Sequence, residues 1–299
     1  MKIDIFFYTR FNITPPLTMN HHTTHFPTQR NVIIRLPIRS GGNNETVGQT
    51  AEQAISNWSN IESGIASERI DRVLLAPMEG ITRYALQNQF TFTQAIGASN
   101  TDVDFNGVGP MGPGTISVKT NTNGDKVCPQ NIGQTTRQNF MNHFNVTVLE
   151  NESQTTAIKR HILGEAAPMM NDYLYNLNAC DYLIHIHLRK RVVPPRLGSL
   201  ETTQNYLNIF TGTPISSAAL EVRYISWYHR SFFENFHFYP ELITFSRTTI
   251  ETWNESSSVK YNGVPIGEFQ IHNNRNCVKF RFHFKNLCDM IIAQQIQLV

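Results

Sequence analysis

Paired cysteines and long apolar runs are what this sequence most clearly lacks. Its four cysteines, Cys128, Cys180, Cys277 and Cys288, are scattered and form no Cys-x-x-Cys pair, which argues against a disulfide framework and a zinc site. Free thiols in a reducing compartment are the simplest interpretation, so we expect a cytoplasmic protein. No apolar run approaches the roughly 18 residues that a transmembrane helix needs, and we expect no membrane partner.

Charged residues are also scarce. They make up 16% of the chain, and the net charge is only +2, which falls short of the strongly basic signature of a general nucleic-acid binder. Local basic runs at 189–191 and 275–285 still permit a nucleic-acid partner. Hydrophobic residues reach 40% and aromatic residues 11%, a composition that excludes an intrinsically disordered chain.

The sequence changes character from one end to the other. Residues 1–40 are largely polar and broken by prolines, and we expect a partly disordered arm. Residues 41–299 are expected to form a single domain, in which helical patterns come first and a strand-rich region covers about 215–290. This order predicts an α/β or α+β fold with one central mixed β-sheet flanked by helices.

Periodicity and turn residues predict some individual elements. Apolar residues at helical spacing predict a helix from Ala51. Further helices are expected at 66–75, from Glu79 onwards and from about residue 130. The Asn-Gly dipeptide in "KYNGVPIGEFQ" predicts a turn between two strands.

The stretch "TDVDFNGVGPMGPGTISVKT" carries the most informative pattern. Period-two alternation puts Asp102 and Asp104 on one face of a short strand, and Ser117 and Lys119 on one face of the next. Mg²⁺ is typically held by one or two carboxylates together with water and phosphate oxygens. A lysine near the attacked phosphate can orient water and offset negative charge. The stretch therefore predicts a Mg²⁺-dependent site for phosphodiester hydrolysis.

The same residues resemble the PD-(D/E)xK nuclease core of type II restriction endonucleases, in which an aspartate precedes a strand that carries acid-x-Lys. The resemblance covers roughly residues 79–140, and we expect the catalytic core over about 79–190. It implies that Asp102 is the metal-binding aspartate, Lys119 the catalytic lysine and Thr120 the threonine that often follows it. It also implies a homodimer that cuts double-stranded DNA.

The sequence departs from this family pattern at Ser117, which stands where an acid is usual. We expect Ser117 to act as a hydrogen-bond partner within the site. The second carboxylate then has to come from elsewhere. Asp104, on the same face as Asp102, is one candidate, and Glu79, in the preceding helical segment, is another.

Amide and basic side chains near the lysine strand and in the C-terminal basic run are candidates for DNA contacts. Asparagine and glutamine can bind adenine bidentately, arginine can bind guanine, and basic groups can bind phosphates. The residues expected to contact DNA are Thr120, Asn121, Asn123, Gln130, Gln134, Arg137, Arg275 and Arg281.

Several alternatives remain open at this stage. Glu268 in "GEFQIH" could be the catalytic acid, and His185 and His187 share one strand face at a known metal-ligand spacing. Residues 71–87 resemble the opening strand of flavin-dependent dihydrouridine synthases, which are TIM barrels, but the strand-rich end does not supply the remaining βα units. A structural or interaction protein, such as a viral shell component, is the second function class.

Overall fold

The structure, a computed structural model, describes residues 34–36, 44–96, 103–121, 126–129, 132–192, 218–272 and 275–297. The chain divides into two compact units. The first falls within Met1–Ala98, Asp104–Asn123 and Ile184–Tyr228, and the second within Ser99–Val103, Gly124–Leu183 and His229–Val299. The predicted arm over 1–40 lies outside the described residues except for one short strand.

The described strands form two six-stranded sheets. The strands are β1 Ile34–Leu36, β2 Thr91–Ala95, β3 Phe105–Gly109, β4 Gly112–Asn121, β5 Lys126–Val127, β6 Gln134–Thr135, β7 Tyr182–Val192, β8 Ala218–His229, β9 Ile243–Phe245, β10 Ser256–Tyr261, β11 Val264–Ile271 and β12 Val278–His283. The first sheet has the order β1-β8-β7-β4-β3-β2. The second has the order β5-β12-β11-β10-β9, and β6 also pairs with β12.

The described α-helices are α1 Asn44–Ser59, α2 Arg72–Leu86, α3 Arg137–His143, α4 Gln154–Gly164, α5 Ala166–Leu177, α6 Ser231–Glu234 and α7 Phe284–Gln297. Short 3-10 helices cover Ser67–Arg69 and Pro240–Leu242. Within the described part of the chain, none of these helices has the length and apolar character to cross a membrane.

Helices α1 and α2 form a packed pair in the first unit. Ala51, Ala54 and Ile55 on α1 are fully buried, at the i, i+3 and i+4 spacing of an amphipathic helix. Trp58 at the end of α1 donates from its indole to the Thr82 hydroxyl on α2 at 3.0 Å. The helices expected at 66–75 and from Glu79 onwards are one continuous α2, preceded by a short 3-10 turn.

The β3–β4 hairpin of the first unit confirms the strand predicted over "GTISVKT". Its strands pair antiparallel, with Phe105 opposite Ile116 and Gly107 opposite Gly114. Gly107 allows β2 to lie close, because a β-carbon there would be 2.6 Å from the Thr91 carbonyl oxygen. A larger residue at 107 would therefore push the two strands apart.

Aromatic side chains build the core of the second unit. Tyr173 on α5 stacks on Phe280 of β12 with ring centroids 4.4 Å apart. The ring of Phe269 on β11 lies 4.6 Å from that of Phe280. The predicted Asn-Gly turn joins β10 to β11, with positive φ at Asn262 (47°) and Gly263 (79°). These are the angles that a two-residue hairpin turn requires.

The predicted fold class is confirmed in its coarse form, because the chain is a mixture of helices and strands. The expectation of one central sheet is wrong, since the described strands form two sheets. The helix predicted from about residue 130 begins only at Arg137, because Gln134–Thr135 pair with β12 and Thr136 caps the helix.

Candidate active site

Asp104 lies immediately before β3, and its carboxylate is held against β4. The backbone N–H of Asp104 donates to the Ile116 carbonyl at 3.0 Å, so the hairpin pairing extends to this residue. Its Oδ2 accepts hydrogen bonds from the Val118 backbone N–H at 2.6 Å and from the Ser117 hydroxyl at 3.1 Å. The carboxylate is therefore fixed beside the backbone of β4, one residue before Lys119.

Ser117 occupies the position where the family pattern has an acid. Its side chain is buried, with 2% of the residue exposed, and the hydroxyl donates to Asp104. A buried hydroxyl needs such a partner, because an unsatisfied one costs free energy. In this protein the strand residue two positions before Lys119 orients a carboxylate from the neighbouring strand.

Helix α1 runs against β4 and brings a further acid to this place. A β-carbon on Gly48 would lie 3.4 Å from the Thr120 hydroxyl of β4, so the helix backbone approaches the strand closely here. Glu52 follows Gly48 by four residues and lies on the same side of the helix. The small residue at 48 thus allows the close approach, and Glu52 lies one turn further along the helix.

The electrostatics of Glu52 show which groups surround it. Its pKa is raised from the ordinary 4.5 to about 8. Burial of the carboxyl is the largest cause, and the negative charge of Asp104 raises the pKa further, whereas the positive charges of Lys119 and Arg69 lower it. Glu52, Asp104 and Lys119 therefore act on one another, although they come from α1, the start of β3 and β4.

Two carboxylates lie close together in this cluster, and burial and the charge of Asp104 outweigh the two cations in their effect on the pKa of Glu52. Two carboxylates that cannot both ionise easily at neutral pH favour a bound cation, which removes their repulsion. Among the described residues no group of three His, Cys, Asp or Glu side chains could hold a metal ion. Two carboxylates alone match the sparse protein ligation of Mg²⁺, which keeps water and substrate phosphate oxygens as its other ligands.

The structure brings together some of the predicted site residues and not others. The Asp104 carboxylate accepts hydrogen bonds from Ser117 and from the residue before Lys119, and the charges of Asp104 and Lys119 both act on the pKa of Glu52. Asp102 lies outside the described residues. Glu79 is on α2, where its carboxylate accepts a hydrogen bond from Asn57 at 3.3 Å. It does not join the cluster, because α2 packs on the side of α1 that carries Asn57 and Trp58.

The predicted DNA contacts on β4 have interior neighbours. Thr120 borders helix α1. Asn121 is 2% exposed, and its side-chain oxygen lies 2.8 Å from Nδ1 of His187 on β7. The His187 ring is stacked on Tyr224 with centroids 4.8 Å apart. The structure therefore gives Asn121 and His187 a role in joining neighbouring strands.

Glu268, the alternative catalytic acid, has a different environment in the second unit. Its Oε2 accepts from Lys126 at 2.7 Å and from Arg281 at 3.2 Å. Burial would raise the pKa of Glu268, but the hydrogen bond and charge of Lys126 and the charge of Arg281 outweigh it, and the pKa is lowered. This carboxylate is already neutralised by protein cations, which argues against a metal-binding role.

The other predicted DNA contacts belong to the second unit. Arg137 donates from Nη2 to the His272 carbonyl at 2.7 Å, Gln134 pairs with Lys279 between β6 and β12, and Arg275 is exposed. Asn123 and Gln130 lie outside the part of the chain that the structure describes.

Sequence reasoning missed Glu52. A signal was present, because Glu52 is an acid next to the buried Ala51 and within a stripe of small residues on an amphipathic helix. That signal is weak by itself, since a charged residue beside a buried stripe is common on surface helices.

The arrangement of two carboxylates and a lysine on a helix and two adjacent strands suits metal-dependent hydrolysis of a phosphodiester. Comparison with known proteins finds a similar sequence. The chain is 28% identical over 174 residues to the type II restriction enzyme CviAII of Paramecium bursaria Chlorella virus 1, an alignment that covers 58% of this chain and 40% of that enzyme. The chain thus spans less than half the length of this relative. No protein-family model and no solved structure matches the chain.

Proposed function

We propose that this protein is a type II restriction endonuclease of the PD-(D/E)xK kind, which hydrolyses phosphodiester bonds of a specific double-stranded DNA sequence with Mg²⁺. The observation that carries the proposal is the Asp104 carboxylate held against β4 one residue before Lys119, with α1 packed on the same strand so that both charges act on the pKa of Glu52. The similarity to a restriction enzyme supports the same class independently.

Each residue of the cluster has a distinct part in the proposed reaction. Glu52 and Asp104 would hold the ion, and Glu52 would release its proton to the solvent on binding it, because the raised pKa reflects burial and the repulsion that a cation removes. Mg²⁺ held there would supply Lewis-acid stabilisation of the phosphate. Lys119 orients the attacking water and offsets negative charge on the phosphate. Ser117 and the Val118 N–H keep Asp104 in place.

A homodimer belongs to the same proposal. A protein with two-fold symmetry matches a palindromic DNA sequence, and each protomer then cuts one strand. Sedimentation or light scattering with the cognate duplex tests this part separately from the chemistry.

The direct experiment is incubation of the purified protein with phage DNA and Mg²⁺, followed by gel electrophoresis. Discrete fragments are expected. Asp104→Asn should abolish them, whereas Glu79→Gln, which changes an acid outside the cluster, should leave the fragment pattern intact. DNA that stays uncut across metals and salt concentrations would overturn the proposal and favour a structural role such as that of a viral shell component.

A further inference from the structure

The second sheet has one polar face built from residues on neighbouring strands. Arg281 lies opposite Glu268, Lys279 lies opposite Gln270 and Gln134, and His283 lies opposite Lys126. Directly paired residues of an antiparallel sheet point to the same side. The polar face is defined by six of these residues: Lys126, Gln134, Glu268, Gln270, Lys279 and Arg281.

The opposite face of the same strands forms part of the core. Val278, Phe280 and Phe282 alternate with the cations of β12, and all three are fully buried. The period-two alternation of β12 therefore directs Lys279 and Arg281 away from the aromatic core. Lys279 is half-buried and Gln134 is exposed, whereas only 14% of the Glu268 side chain and 24% of the Arg281 side chain are exposed. The accessible part of the polar face is therefore the end that carries Gln134 and Lys279.

Positive charge is in excess on the polar face. Glu268 is its one acid, and a single oxygen of that carboxylate already accepts from both Lys126 and Arg281. Lys279 has no carboxylate partner among the described residues, and neither does Arg275 near the end of the β11–β12 hairpin. This imbalance suits a polyanion, because released counterions favour its binding.

The end of that hairpin is held in place. Arg137 at the start of α3 donates from Nη2 to the His272 carbonyl at 2.7 Å. Its backbone N–H donates to the side-chain oxygen of Asn276 at 3.3 Å. Arg275, the neighbour of Asn276, therefore projects from an anchored segment.

We propose that the polar face and the adjoining Arg275 form a DNA-contacting surface of the second unit. This inference rests on the proposed function, which makes duplex DNA the partner. Lys279 and Arg275 contact phosphates, and the Gln134 amide lies where it can reach a base edge.

The test measures binding of a duplex oligonucleotide at several salt concentrations by the Lys119→Ala protein, without Mg²⁺, so that the duplex is not consumed during the measurement. Adding Arg275→Ala and Lys279→Ala should weaken binding by roughly tenfold or more and should reduce the slope of log K against log salt by about 2, one for each phosphate contact. The control adds Lys285→Ala and Arg230→Ala, which remove the same charge from exposed positions of the second unit.

The surface is supported when Arg275→Ala with Lys279→Ala weakens DNA binding and lowers the salt slope, while Lys285→Ala with Arg230→Ala changes neither. It is overturned when the Arg275 and Lys279 variant keeps the parental affinity and slope, or when the control variant loses as much affinity. A protein that binds DNA through this face but never cuts it would refute the proposed function alone. Robust cleavage with unaltered binding in the Arg275 and Lys279 variant would refute the surface alone. Circular dichroism of each variant checks that the fold is retained.

Discussion

Each of the two units places an acid and a lysine from separate chain segments together, yet the two clusters differ in charge balance. In the first unit Glu52 and Asp104 share Lys119 and a contribution from Arg69, and the pKa of Glu52 is raised to about 8. In the second unit Glu268 alone faces Lys126 and Arg281, and its pKa is lowered. Residue types are similar in both, so the balance of charge distinguishes them.

That balance indicates which cluster can do chemistry. A carboxylate that two cations already neutralise gains little from a metal ion, and its removal mainly leaves cations without a partner. Two carboxylates that repel one another gain from a divalent ion, and perturbed groups of this kind are concentrated at functional sites. The first unit is therefore the candidate for catalysis, and the second unit for binding and stability.

The largest effect is expected from Lys119→Ala. Loss of the ammonium that offsets charge on the phosphate should reduce the cleavage rate by about 10²–10³-fold or more. Single-turnover cleavage of a cognate duplex measures it, with DNA binding followed in parallel. Lys285→Ala, which removes an exposed lysine of the second unit, is the control. Full activity of the Lys119 variant would place the catalytic lysine elsewhere.

Glu52→Gln should remove Mg²⁺-dependent cleavage and alter the dependence of stability on pH. The folded-state pKa of about 8 exceeds the ordinary 4.5, so the folded protein binds a proton more tightly than the unfolded chain does. The free energy of unfolding of the wild type should therefore fall as pH rises from about 4.5 to about 8, because the unfolded chain loses this proton first. The glutamine variant has no such titrating group and should not show this decrease.

Melting temperatures of both proteins at pH 5 and pH 9, without metal, check this second prediction. Relative to the wild type, the melting temperature of the glutamine variant should be higher at pH 9 than at pH 5. Added Mg²⁺ should raise the melting temperature of the wild type and leave that of the variant unchanged. Equal pH profiles for the two proteins would contradict a raised pKa of Glu52 in the folded protein.

Glu268→Gln should destabilise the protein by about 1.5–3 kcal/mol near neutral pH, because Lys126 and Arg281 lose their charged hydrogen-bond acceptor. The lowered pKa of Glu268 means that its contribution is present above the ordinary value of 4.5 and is lost as pH falls through the folded-state value. Urea denaturation at pH 7 and at low pH measures the difference, which should shrink in acid. Glu150→Gln, at an exposed position, serves as the comparison.

Ser117→Ala is expected to have the smallest effect. The substitution removes the hydrogen bond from Ser117 to Asp104, but Asp104 still accepts a hydrogen bond from the Val118 N–H. The free energy of unfolding should therefore fall by only about 1 kcal/mol. Cleavage should decline far less than in Lys119→Ala. A loss as large as that of the lysine variant would mean that the serine hydroxyl takes part in the reaction directly.

Much of the local structure followed from the sequence alone. Alternation identified β4 and put Ser117 and Lys119 on one face, and the Asn-Gly dipeptide located the turn between β10 and β11, because both depend on neighbours close in the chain. The boundary of α3 was missed, because the pairing of Gln134–Thr135 with β12 joins segments far apart in sequence.

By itself the sequence determined the amphipathic helix α1, the strand that carries Lys119 and the presence of acids near it. Only the tertiary structure decided that Glu52 accompanies Asp104 while Glu79 stays with Asn57. The choice depends on which side of α1 packs on β4, where Gly48 lies against Thr120. Local periodicity shows that a helix has a buried side, but packing between distant segments selects the partner of each side chain.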